Sequence, residues 1–127
     1  MLTPNQDLER RRPVWEALSD IFLDTELENS GRIYIAQQII ASNYAPLEIH
    51  HILWNEIYPV LKSNLQSVAG VWSGFNIDNL EQQILSGKHR RTFLSRLFEI
   101  SPLSPAHIVK SEWLALLPFL PDHFSNA

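Results

Sequence analysis

The chain has 127 residues, 45% of them apolar and 19% charged, with a formal net charge of −4. That balance describes one globular domain able to bury a real core, and it argues against disorder and against nucleic acid as the main ligand. Cysteine is absent, which excludes a disulfide framework, a thiolate nucleophile and cysteine-ligated zinc or iron–sulfur sites.

The opening stretch "MLTPNQDLERRRPVWE" lacks the apolar run of a signal peptide. No window approaches the ~20 apolar residues of a membrane span, so a cytoplasmic protein is expected. "RRPVWEALSDIFLDT" places Pro13 where a first helical turn tolerates it. At the helical period Val14, Trp15, Ala17, Leu18, Ile21 and Phe22 share one side, with Glu16, Ser19, Asp20 and Asp24 opposite. "NSGRIYIAQQIIASN" predicts a second helix with an Ile33, Ala36, Ile40 stripe and an end near Asn43. "APLEIHHILWNEIY" predicts a third, from Pro46 to about Tyr58, with Pro59 ending or kinking it.

"PVLKSNLQSVAGVWSGF" is the least regular region. Its Trp72 and Phe75 are expected to fold inward as a plug between helices. "NIDNLEQQILSG" predicts a compact helix with capping-box spacing at Asp78 and Glu81 and Gly87 just past its end. "RTFLSRLFEI" adds another apolar helical pattern. "SPAHIVKSEWLALL" begins with Ser104 as N-cap and Pro105 at the first helical position, and Pro118 and Pro121 stop it. Strand alternation and hairpin signals are missing. The expected fold is all-α, a single compact bundle of about six helices over residues 1–127, with flexible ends at 1–10 and 122–127.

The stretch "EIHHILWNE" poses a question of chemistry, because Glu-x-x-His on a helix is half of a di-metal carboxylate site. No second copy exists in the sequence, and His50 and Glu48 point apart on a helical wheel. A packed His50, hydrogen-bonded through one nitrogen, and a surface His51 are expected instead. Glu48, Asn55 and Glu56 are expected opposite the apolar face or at its edge. Burial would penalise ionisation of His50 and make it an acid-sensitive point. No nucleophile elbow appears, and "SGK" lacks the glycine spacing of a phosphate-binding loop. No catalytic, cofactor-binding or metal-ligating residue is therefore expected. A hydrolase or metal enzyme around His51, Glu48 and Glu112 is the weaker alternative. The basic runs Arg10-Arg11-Arg12 and Lys88-His89-Arg90-Arg91 are expected to be solvated or paired with the acidic half.

Charge is unevenly spread. Residues 1–60 carry nine acids and four arginines, near −5, whereas residues 61–127 carry five acids and six bases, near +1. "EALSDIFLDTELE" holds Glu16, Asp20, Asp24, Glu26 and Glu28 without a base, the first three at i, i+4, i+8. Like charges one turn apart destabilise a helix by a few tenths of a kcal/mol per pair. A stripe kept despite that suits capture of a cationic protein, such as a nuclease-type toxin domain whose cleft must hold phosphate. The expected activity is thus protein binding of an immunity or antitoxin-like kind. The plain alternative for the stripe is a solvated face. A structural or regulatory homo-oligomer contacting through Trp72 and Phe75 is the alternative for the whole protein.

The stretches "RRPVWEALSDIFLDTE", "ILWNEIYPVLKSNLQSVAGVWSGF" and "EWLALLPFL" resemble a family of short bacterial proteins classed as a domain of unknown function, from about Arg11 to Leu120. The resemblance implies a bacterial origin and a single domain, and it brings no catalytic residues.

Overall fold

A computed structural model describes residues 3–23, 27–66, 76–87, 97 and 104–126. These residues form α-helices, one π-helical stretch and short 3-10 turns, with no strand among them. A 3-10 turn, Pro4–Gln6, precedes α1 (Leu8–Leu23). Helix α2 (Asn29–Ser42) follows. Next come α3 (Pro46–His51), a π-helical stretch (Ile52–Ile57) and α4 (Tyr58–Gln66), which run on as one rod because His51, Ile52 and Tyr58 all keep right-handed helical angles. Helix α5 (Ile77–Ser86) and α6 (Ala106–Leu116) lead to 3-10 turns at Leu117–Phe119 and Asp122–Asn126. The expected plug at Trp72 and Phe75, the basic run from Lys88 to Arg91 and the "RTFLSRLFEI" pattern lie outside the described residues, apart from helical Leu97.

Helix α1 is the central element, in contact with α2, the π stretch, α4, α5 and α6. The reason is its apolar face: Val14, Trp15, Ala17, Leu18, Ile21 and Phe22 are all buried, as the spacing predicts. Around it pack Ile35 and Ile39 of α2, Ile49, Ile52, Leu53 and Ile57 of the rod, Leu80 of α5, and Val109, Trp113 and Leu116 of α6. Truncating one such side chain to alanine costs about 2–5 kcal/mol. Phe124, in the last 3-10 turn, is also buried.

Several local details differ from expectation. Helix α1 starts at Leu8, so Pro13 lies inside it and Arg11 shares the buried face, four residues before Trp15 and seven before Leu18. Ser19 is buried, and its hydroxyl donates back to the Trp15 carbonyl, which satisfies it inside the helix. On α2 the buried residues are Ile35, Ala36 and Ile39, while Ile33 and Ile40 are exposed. Apolar residues surround that helix, so periodicity alone does not choose its inner face.

On the rod, Leu47 is 74% exposed and Ile52 is buried, which rotates the inner face towards Glu56. Pro59 does not end the rod. The π stretch before it donates from Tyr58 to the Leu53 carbonyl, five residues back, and this wide turn relieves the clash a proline ring meets in an α-helix.

The caps follow backbone chemistry. Asn43 and Gly87 close α2 and α5 in the left-handed conformation, at φ 59° and 70°. Helix α5 is capped by Asn76, whose Oδ1 accepts from the Asp78 and Asn79 N–H groups, not by Asp78 itself. Ser104 Oγ accepts from the Ala106 N–H at 3.2 Å, and the helix begins one residue after Pro105.

Candidate protein-docking face

Each of the described arginines engages another group of the chain. Arg11 is fully buried, with its Nη1 donating to Glu56 Oε2 and its Nε 3.7 Å from Asp7. Trp15 Nε1 donates to the other Glu56 oxygen at 2.9 Å, so this carboxylate, expected at the edge of its helix, is buried between two donors. The Tyr44 hydroxyl donates to Asp7. Burial, and then that bond, raise the Tyr44 phenol above its usual range. Arg10 stacks 4.0 Å over the Tyr44 ring and donates to the Ser42 carbonyl. Arg12 bonds Asp78 at 2.9 Å and Glu81 at 3.0 Å, and those two hydrogen bonds raise its pKa. Arg32 grips both Glu112 oxygens and Asn29 Oδ1. Of the first basic run, Arg11 is paired with acids of the first half as expected, Arg12 is paired with two acids of the second half, and Arg10 engages a carbonyl and an aromatic ring.

Glu48 Oε1 accepts from the Ala45 N–H at 2.9 Å and so caps the start of α3. His51 is exposed, with Nδ1 2.9 Å from Asn55 and Nε2 3.6 Å from Glu56. His50 lies against Trp113, with ring centroids 4.8 Å apart. Its buried Nε2 has no hydrogen-bond partner, and no bond of its ring is found among the described residues, where one was expected. Burial holds its pKa below the ordinary 6.5. Among the described residues no three His, Asp or Glu side chains stand close enough to hold a metal ion. Glu112 is paired with Arg32.

On the outer side of α1 the picture changes. Glu16 is exposed, Asp20 is half-buried, and Glu28 is exposed at the start of α2. Glu16 and Glu28 have no ion pair among the described residues. Asp24 and Glu26 lie outside the described residues. Tyr34, 41% exposed on α2, borders the stripe: burial, then the charges of Glu16 and Asp20, raise its pKa. Ile33 and Ile40 are exposed on the same helix. Sequence reasoning missed Tyr34, Ile33 and Ile40 as surface residues, and the only signal was that α2 has more apolar residues than one face can bury.

An all-α fold with a central α1, one charged side turned inward and one turned out, is the architecture this chain defines. The family model of a domain of unknown function, DUF7079, matches residues 9–118, and the chain belongs to that family. No curated protein and no solved structure is detectably similar to it.

Proposed function

We propose that the protein acts by binding a cationic protein, as a cytoplasmic immunity or antitoxin-like inhibitor of a basic, nuclease-type toxin domain. The docking residues are Glu16, Asp20, Asp24, Glu26 and Glu28, with Tyr34 and Ile33 beside them on α2. The observation that carries this reading is the distribution of the described arginines. Arg10, Arg11, Arg12 and Arg32 each engage another group, and Glu16 and Glu28 have no ion pair among the described residues. A negative stripe beside an exposed tyrosine suits an interface, where aromatic anchors supply contact area and charge complementarity steers encounter. Such a mode of action needs neither catalytic residues nor a cofactor.

Capture from the native host on the immobilised protein, followed by mass spectrometry, tests the proposal. A basic protein retained at low salt and released as salt rises is the expected result. Retention of only acidic or salt-insensitive proteins removes the basis of the proposal.

A further inference from the structure

A cavity of about 410 Å³ opens between the end of α2, the first turn of α3 and the C-terminal 3-10 turn, a size typical of small-ligand sites. Its walls are largely apolar, formed by Ile39, Ile40, Tyr44, Pro46, Pro121 and Phe124. Glu48 is the one carboxylate among its lining residues, beside the polar Asn43 and His123.

Two features give the cavity a preference for positive charge. First, Glu48 has no ion pair among the described residues, and only its Oε1 is engaged, by the Ala45 N–H. The cap also fixes the side chain in place. Second, α2 ends in this wall, with Asn43 left-handed and its N–H bonded to the Ile40 carbonyl, so the partly negative end of a 14-residue helix borders the space, while the partly positive start of α3 in the same wall is capped by Glu48. The molecule already sets a guanidinium against this helix end: Arg10 donates to the Ser42 carbonyl and stacks on Tyr44. Arg10 is committed to those two groups.

We propose that the cavity receives the side chain of a lysine or arginine carried by a protein partner. Its aliphatic stem lies on Ile39, Ile40 and Phe124, and its cation meets the Glu48 carboxylate. Long basic side chains bury their stems on apolar surface and keep the charge beside polar groups, and the lining supplies both kinds of surface. This rests on the reading of the protein as a receptor for a cationic protein, and adds an anchoring residue to it.

The test titrates Nα-acetyl-arginine amide and the uncharged Nα-acetyl-norleucine amide into the full chain, read by NMR shifts of the Ile40, Ala45 and Phe124 amides. Saturable binding of the arginine derivative is expected, weaker by about fivefold for the norleucine compound and for Glu48→Gln. Glutamine keeps an oxygen for the Ala45 N–H, so the cap stays and only the charge is removed. An unchanged melting temperature verifies that. Equal binding of the two amides, undiminished binding to Glu48→Gln, or no saturable shift with the arginine derivative overturns the assignment. Partner capture that is abolished by charge reversal at Glu16 and Asp20 but untouched by Glu48→Gln sinks the cavity anchor alone and leaves the docking face standing. Absence of any cationic partner sinks both.

Discussion

Arg11 and Glu16 stand five residues apart on α1, and the contrast between them separates a charge that builds the fold from one offered to the outside. Arg11 is inside, bonded to Glu56, which Trp15 also binds. Burying such a pair carries a desolvation cost that mutual attraction and the extra hydrogen bond offset, so it fixes position more than it adds net stability. It pins the start of α1 to the π stretch, and the Asp7–Tyr44 contact extends the same attachment to the α2–α3 turn. Glu16 is outside, without an ion pair among the described residues, and has no comparable structural task.

The largest expected effect tests the inner side. Glu56→Ala removes the nearest carboxylate from a fully buried guanidinium, leaving only Asp7 as its acid partner among the described residues, and should cost about 3–5 kcal/mol in urea unfolding. Replacing both partners, Arg11→Met with Glu56→Leu, should recover part of that loss, since Trp15 Nε1 still lacks its Glu56 acceptor. A double variant as unstable as the single one contradicts the assignment of the cost to an orphaned charge. Trp15→Phe keeps an aromatic ring but removes one donor to Glu56 and part of the buried volume, and a loss of at least about 1–3 kcal/mol is expected.

Smaller effects lie toward the surface. Arg32→Ala breaks a pair whose side chains are 20% and 24% exposed, and about 0.2–1 kcal/mol is expected. Acid should also weaken the fold through His50. Its folded-state pKa lies below 6.5, so the unfolded chain binds the proton more readily. Stability should be full above that value and fall as pH drops through it towards the folded pKa. A melting temperature that stays flat from about pH 7.5 to 5.5 contradicts this. Glu16→Lys should change stability by no more than about 0.5 kcal/mol in either direction, the ordinary range for an exposed position.

Much of this was legible in the sequence, and the misses share a cause. The core face of α1 follows directly from apolar spacing, and the ends of α2 and α5 follow from Asn43 and Gly87. The buried Arg11 was hidden because Pro13 reads as a helix start, although Arg11 falls at helical spacing from Trp15 and Leu18. Glu56 was hidden because Leu47 and Trp54 pull the apparent apolar face away from Ile52. Both members of the pair look like surface charges until each is known to meet the other, and a contact 45 residues apart leaves no local mark. Glu48 had a legible role, as a carboxylate at the third position after Ala45, but the neighbouring histidines drew attention to metal chemistry. Of the proposed docking face and its surroundings, the exposure of Glu16 and Glu28 follows from the charge pattern, whereas that of Tyr34, Ile33 and Ile40 does not, because α2 is apolar nearly all round.

The claim on which the functional account depends is that the outer flank of α1 holds a positively charged protein. Parallel affinity capture from the native host with the wild-type chain and with Glu16→Lys/Asp20→Lys as bait tests it most directly, once circular dichroism has shown both baits equally folded. The account predicts a basic protein on the wild-type bait that is absent from the variant and is washed away by salt. The same protein held equally by both baits, at low salt and high, contradicts it.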